Sequence, residues 1–165
     1  RRNKKADSGG GYCSESRNWY FKWTSHTEIK ITKDGPKVVE LGARLGGDNI
    51  TTYLTPLSTG VDMVESCIRI ALGETADLEP KFHKASAIRY FRVEQGFIRD
   101  IRGLEEARKI PGVKQIYVVH GIGEKMNGIK SSGDRSGFVI AQADTAEEAV
   151  EICEKALDLI EIEME

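Results

Sequence analysis

The stretch from Ser25 to Asp48 constrains this chain more than any other. Ile29 and Ile31 alternate with Glu28, Lys30 and Thr32, the period-two signature of a half-buried strand. Val38, Val39 and Leu41 read as the returning strand. Between them, Asp34-Gly35 is a hairpin signal. Gly35 suits the left-handed position of a three-residue loop, Lys33 to Gly35, in which a type I turn closes into a bulge. That loop predicts Thr32 opposite Pro36, Lys30 opposite Val38 and Glu28 opposite Glu40. The two carboxylates then share one face, with their Cβ atoms ~5 Å apart.

Like charges directly opposite each other destabilise a sheet. A cation between them removes the penalty. Two carboxylates on rigid strands suit Mg²⁺, which takes one or two carboxylates and completes its shell with water and substrate phosphates. The plainer alternative is a solvent-facing strand pair that tolerates its charges, and spacing alone leaves both readings open.

The stretch resembles the metal-binding hairpin of the ATP-grasp superfamily, enzymes that activate a carboxylate as an acyl phosphate. In biotin carboxylase-like and amino-acid-ligase-like members, an upstream Glu and a second Glu in a Glu-x-Asn-x-Arg stretch hold the magnesium ions that bridge the ATP phosphates. Glu28 matches the first glutamate and Glu40 the second. Arg44 matches the arginine that steadies the anionic intermediate. Gly42 stands where many relatives carry a ligating Asn, so that ligand is missing. Further segments match in order. Thr55 to Glu65 and Ile68 to Glu74 resemble the loop and helix after the metal site. Ala87 to Phe91 and Ser131 to Phe138 resemble the C-terminal subdomain of amino-acid-ligase-type members. The resemblance runs from about Ser25 to the end. It implies the C-terminal region of a carboxylate–amine ligase using ATP, Mg²⁺ and a small carboxylate substrate.

Composition sets wider bounds. The chain has 165 residues, 39% hydrophobic and 30% charged. Its length is consistent with one domain, and its apolar content supports a core rather than wholesale disorder. A formal net charge of −2 gives no global field for nucleic acid or an anionic membrane. No apolar run approaches the ~18 residues of a membrane span, and no signal peptide is visible. Cys13, Cys67 and Cys153 are odd in number and lack Cys-x-x-Cys spacing. Reduced thiols in a cytoplasmic protein are the simplest account.

Residues 1–24 read differently from residues 25–165. Arg1 to Lys5 is basic, Ser8 to Gly11 is glycine-rich, and Cys13 to Trp23 mixes polar and aromatic residues without period. A basic start with aromatics is one mark of nucleic-acid binding. A disordered tail is the plainer reading for so short a charge run. A third reading is adventitious origin. Shifting the codon frame by one base allows residues 1–23 to become EEIKKQIVEEATAVKAGIGILNG, a string with helical apolar spacing. On that reading the chain is the tail of a longer ATP-grasp reading frame.

Beyond the hairpin, Asn49 to Pro56 reads as a mostly polar loop. A helix is expected over Val61 to Leu72, with Met63, Val64, Cys67, Ile68 and Ala71 on one face and Gly73 as its stop. Leu78 to Lys84 reads as a loop. Ala85 to Phe91 and Gln95 to Ile101 read as strands, Leu104 to Lys109 as a short helix ended by Pro111, and Val113 to His120 as a strand. Gly121 to Gly137 is a long Gly- and Ser-rich loop, hence a functional candidate. Phe138 to Ala143 is the last strong strand. Thr145 to Glu148 forms a capping box, opening a helix with Ala146, Val150, Cys153, Leu157 and Ile160 on one side. The order gives an α+β fold, a mostly antiparallel sheet with packed helices.

Other candidates carry two readings each. His26 shares the Glu28 face by period two and either orients a ligand or serves the strand end. Gly46 and Gly47 either admit a phosphate to the backbone N–H groups or make a simple turn. Arg89 and Arg92 either bind an anion or are exposed strand charges. His83 and His120 show no metal spacing, and no Gly-x-x-x-x-Gly-Lys-Ser/Thr motif occurs. In the family the nucleotide lies between two subdomains, and the resemblance reaches only the downstream one. Half a cleft does not bury most of a ligand's surface as small-molecule sites do. The expectation is therefore a segment carrying metal- and intermediate-binding residues but inactive alone. The alternatives are one subunit of a split enzyme and a non-catalytic interaction module. Its partner is a second copy or the missing upstream half.

Overall fold

The computed structural model describes residues 23–165. The readings of residues 1–22 lie outside the described residues. Trp23 and Thr24 lie inside them, and the Thr24 hydroxyl sits 3.5 Å from Cys67 Sγ.

Strands β1 (His26–Thr32) and β2 (Gly35–Gly42) form the expected hairpin. Gly35 takes the left-handed conformation, φ 94°. Thr32 closes the turn: its Oγ1 accepts from Asp34 N at 3.2 Å and donates to Gly35 O at 2.8 Å. The register differs from expectation near the tip. Thr32 pairs with Gly35, Ile31 with Pro36, Lys30 with Lys37 and Ile29 with Val38, so the loop is the two residues Lys33 and Asp34. A bulge between Glu28 and Ile29 then shifts the register by one. An extra residue on one strand changes which residues face each other. Beyond it, Glu28 pairs with Glu40, as expected.

The segment expected as a polar loop is helical. The Leu54 amide donates to Asn49 O at 2.9 Å, the i→i+5 bond of a single π-turn over Ile50–Leu54. It runs directly into α1 (Thr55–Thr59), with Pro56 near its start.

Helix α2 (Met63–Ala71) is capped by Asp62, whose side chain accepts from Glu65 N at 2.8 Å. Gly73, at φ 79°, follows its last turn, and the Gly73 and Glu74 amides bond back to Ile70 and Arg69 carbonyls, the expected stop. The covered face differs from the expected one. Ser66 is buried and Met63, Cys67 and Ile70 are half-buried, whereas Val64, Ile68 and Ala71 are exposed. Ser66 Oγ donates to Asp62 O at 2.6 Å. This internal bond satisfies its one donor and lets a small polar residue sit on the inward side.

The core belongs to the C-terminal region. Strands β3 (Ala85–Tyr90), β5 (Val113–Val118) and β7 (Gly137–Ala143) form an antiparallel sheet in the order β3-β7-β5. Short strand β6 (Lys125–Met126), β4 (Gly96–Arg102) and β8 (Glu161–Met164) form a second, in the order β6-β4-β8. All strand pairs among the described residues are antiparallel, so the α+β expectation holds, divided into three small sheets. Helices α3 (Leu104–Arg108) and α4 (Ala146–Leu159) complete the region. Thr145 and Glu148 cap α4 reciprocally. Its inward line is Ala149, Cys153 and Ala156, all at 0% exposure, packed on Ala87, Val139 and Ala141. Val150 and Leu157 flank that line, while Ala146 is exposed. Ile160 lies past the last helical residue and leads into β8.

The other face of the β3-β7-β5 sheet carries the hairpin module. Ser86 Oγ donates to Leu54 O at 2.9 Å and lies 2.7 Å from Ser58 Oγ, and Gln142 Nε2 donates to Leu57 O. These bonds seat the π-turn and α1 on the sheet, with the hairpin projecting beyond.

Candidate functional site

The candidate site lies at the base of the hairpin. Strand pairing sets Glu28 and Glu40 opposite one another, hence on one face. Each has a cationic or ionisable neighbour. Arg44, two residues past the end of β2, places Nη2 3.0 Å from Glu40 Oε1, and its Nη1 donates to Leu45 O at 3.1 Å. His26 Nε2 lies 3.4 Å from Glu28 Oε1. Glu28, Glu40 and Arg44 are about half exposed and His26 is mostly covered.

Gly42 and Gly46 explain why small residues stand here. A Cβ at Gly42 lies 3.2 Å from Arg44 Cγ and 3.4 Å from its Nε, so the arginine folds over Gly42. A Cβ at Gly46 lies 2.9 Å from His26 Nδ1, closer than real Cβ contacts allow. His26 thus packs its second ring nitrogen against the glycine backbone. Gly47 has open space around its Cα. The turn is anchored from beneath, where Thr51 Oγ1 donates to Gly46 O at 2.9 Å and Ile50 N to Gly47 O at 2.9 Å. After it, Asp48 and Asn49 both take positive φ, 49° and 63°, which Asp and Asn tolerate best among residues with side chains.

His26, Glu28, Glu40, Arg44, Gly46 and Gly47 are therefore brought together. The donor set is two hard carboxylate oxygens with space on the solvent side. It fits Mg²⁺ as a partial shell whose remaining positions fall to water and phosphate oxygens. Among the described residues, no group of three or more His, Cys, Asp or Glu is placed to hold a metal ion.

The remaining candidates fall elsewhere. Arg89 Nε and Arg92 Nη2 each lie 2.9 Å from the carboxylate of Glu154 on α4, so both are structural ion pairs. His120 Nδ1 lies 2.6 Å from Glu124, and this bond, first, with the Gly121 N–H, holds that carboxyl below its ordinary pKa range. The expected long loop is interrupted by β6 and by a short 3-10 turn at Ser132–Asp134. Asp134 accepts from Lys130 N at 3.0 Å and from Ser131 N at 2.7 Å. Arg135 reaches back to the hairpin module: its Nη1 lies 3.0 Å from Asp48 Oδ1. Among the described residues, no helix is long and apolar enough to cross a membrane.

Residues 89–165 match the family model of the L-amino acid ligase C-terminal domain 2. The chain is 31% identical over 140 residues to the uncharacterized protein y4rH of Sinorhizobium fredii, covering 83% of this chain and 29% of that one. It is 28% identical over 142 residues to the phosphoribosylamine–glycine ligase of Methanococcus maripaludis, covering 84% of this chain and 32% of the relative. The L-amino acid ligase of Bacillus licheniformis superposes with a TM-score of 0.70 at 25% identity, over 86% of this chain and 36% of that one. The chain thus spans about a third of the length of the curated relatives it matches. In sequence and fold the chain is thus similar to the C-terminal, ligase-like region of ATP-grasp enzymes, with residues 89–165 matching the L-amino acid ligase C-terminal domain 2.

Proposed function

We propose that this chain supplies one wall of the Mg-ATP site of a carboxylate–amine ligase, and that these 165 residues do not complete the reaction alone. The observation that carries the reading is the opposed pair Glu28 and Glu40, with Arg44 on the second carboxylate. Two carboxylates set directly opposite each other destabilise a strand pair, and a cation between them relieves that repulsion. In the reading, Glu28 and Glu40 hold Mg²⁺. When bound, the ion offsets charge on the transferring phosphoryl group. Arg44 releases Glu40 and turns its fork to the anionic intermediate, a geometry that guanidinium groups match. Gly46 and Gly47 present backbone N–H groups to the nucleotide, and His26 fixes the orientation of the turn.

Support for incompleteness is geometric. Glu28, Glu40 and Arg44 stand about half exposed on an open strand pair, whereas ligand sites enclose most of their ligand. Isothermal titration of the 165-residue chain with Mg-ATP is expected to give millimolar affinity or no heat. Micromolar binding overturns the incompleteness. Mn²⁺ titration followed by amide line broadening tests the metal assignment separately. Broadening centred on Glu28 and Glu40 is expected, and its loss in Glu28→Gln is required.

A second reading has its own support. Ile29, Ile31, Val38, Val39 and Leu41 are all exposed on the hairpin, and clustered exposed apolar residues are a mark of an interaction site. Their exposure favours a partner polypeptide that covers the hairpin, as in a split enzyme. Activity restored by adding the upstream portion of a relative in trans supports this arrangement, and no restoration together with a strictly monomeric chain opposes it.

A further inference from the structure

We propose that Arg135 is a positioning residue that fastens the Gly46–Asn49 turn to an aromatic row on the C-terminal sheet. The role deepens the reading of that turn as part of a nucleotide wall and rests on it for its functional meaning.

Tyr90, Phe138 and Tyr117 stand abreast across three strands, since Tyr90 pairs with Phe138 and Phe138 with Tyr117. Tyr90 and Phe138 meet edge to face at 6.3 Å, and Phe138 and Tyr117 stack at 5.7 Å. By strand alternation they share the face of Ser86 and Gln142, the face on which the π-turn and α1 sit. Arg135 caps the row. Its guanidinium carbon lies 3.9 Å from the Tyr90 ring centroid, and its Nη1 lies 3.0 Å from Asp48 Oδ1. One planar group thus stacks and pairs at once, which guanidinium does and ammonium does not. The Arg135 side chain is 27% exposed, so the contact is partly shielded from water. Burial, first, and then the Asp48 charge raise the Tyr90 phenol above its ordinary pKa, while Arg135 opposes the shift.

Asp48 is where such a fastening has leverage. It begins two consecutive positive-φ residues, and side-chain-bearing residues hold that conformation only where their surroundings fix it. The neighbouring amides depend on it: Ile50 N donates to Gly47 O, and Tyr53 and Leu54 N donate to Asn49 O. Releasing Asp48 loosens the start of the π-turn, and with it the backbone of Gly46 and Gly47.

Amide hydrogen exchange of the full chain, without nucleotide, decides the proposal. Arg135→Ala and Asp48→Asn are compared. Asn favours positive φ as Asp does, so the second variant removes the charge and leaves the backbone preference. Each is expected to accelerate exchange at Ile50, Tyr53 and Leu54 at least tenfold, with Val139 and Cys153 amides unchanged. The double variant is expected to match the faster single variant, and Arg135→Lys, which keeps a cation for Asp48, to recover part of the protection. Unchanged exchange at residues 50–54 in both single variants overturns the proposal, as do effects that simply multiply in the double variant or a Lys variant no better than Ala. Mn²⁺ broadening at Glu28 and Glu40, measured on the same samples, reports the metal reading independently. Its absence beside the expected exchange pattern leaves the fastening intact and removes the proposed metal role.

Discussion

The hairpin and the C-terminal region use similar residues to opposite effect. Both are built from strands that carry β-branched residues. In β7, Val139, Ile140 and Ala141 are all at 0% exposure, covered by α4 on one face and neighbouring segments on the other. In the hairpin, Ile31 is 79% exposed, and Ile29, Val38, Val39 and Leu41 each keep more than half their surface in water. A two-stranded hairpin alone is marginal in water. This one is held by Gly35 and Thr32 at its tip and by His26 against Gly46 at its base. Its charged face gathers the candidate site residues. Its apolar residues are covered by nothing among the described residues. Stability therefore resides in one region and the proposed chemistry in the other.

Truncating each region tests that division most strongly. Phe91 is 2% exposed, within the core cluster, and its ring occupies the space a Cβ at Gly137 requires. Phe91→Ala is expected to cost about 3–5 kcal/mol by denaturant unfolding. Val38→Ala is expected to cost less than ~0.5 kcal/mol, as for exposed positions generally. Comparable losses at the two sites erase the distinction between them.

The next effect concerns association. The exposed hairpin surface is expected to drive self-association of the 165-residue chain, because apolar area removed from water contributes ~25 cal/mol per Å². Sedimentation velocity across a hundredfold concentration range reads it directly. Ile31→Lys combined with Val38→Lys is expected to weaken association at least tenfold. A strictly monomeric parent chain at high concentration counts against the surface having this role.

A smaller effect compares two caps. Thr145 caps the long core helix and Asp62 caps α2, each accepting from a backbone N–H three residues on. Thr145→Ala is expected to lower global stability by ~1 kcal/mol. Asp62→Ala is expected to lower it less, because α2 exposes Val64, Ile68 and Leu72 and contributes little to the core. Equal losses would show that α2 unfolds cooperatively with the C-terminal region.

What the sequence disclosed follows the same division. The Thr145 cap, the Gly73 stop and the β7 strand were legible because each rests on local chemistry that the fold keeps. The Glu28–Glu40 pairing was legible, though by a different route. The loop register was one residue off, and the bulge between Glu28 and Ile29 restored the pair. A bulge leaves no mark in alternation this short. Strand β8 was hidden because Glu161 to Met164 alternates over only four residues directly after α4, too short a run to separate from the helix; pairing with β4 makes it extended. The π-turn was hidden because Thr51, Thr52 and Tyr53 are poor helix formers, and tertiary bonds to Ser86 and Gln142 hold that segment on the sheet. Arg135 could not be found from spacing. Its partners Asp48 and Tyr90 meet it only in the folded chain.

The smallest effect is local and depends on pH. Asp134 organises the turn immediately before Arg135, accepting from the Lys130 and Ser131 amides and from the Ser131 hydroxyl at 3.0 Å. The Lys130 N–H, first, and then the Ser131 hydroxyl and N–H hold its carboxyl below the ordinary Asp value. A carboxylate with a depressed folded pKa stabilises its surroundings fully above its unfolded pKa. That contribution is lost as pH falls through the folded pKa. The turn should therefore persist from neutral pH down past the ordinary Asp midpoint of ~3.9 and loosen only below it. The Ser131 amide shift, followed by NMR from pH 6 to pH 2, is expected to titrate with a midpoint below that value. Asp134→Asn should abolish the transition. If the fastening at Arg135 depends on this turn, exchange at Ile50 should accelerate over the same interval while the Val139 amide stays protected. A Ser131 midpoint at or above ~3.9 means that the three donors do not hold the carboxylate and that this turn does not place Arg135.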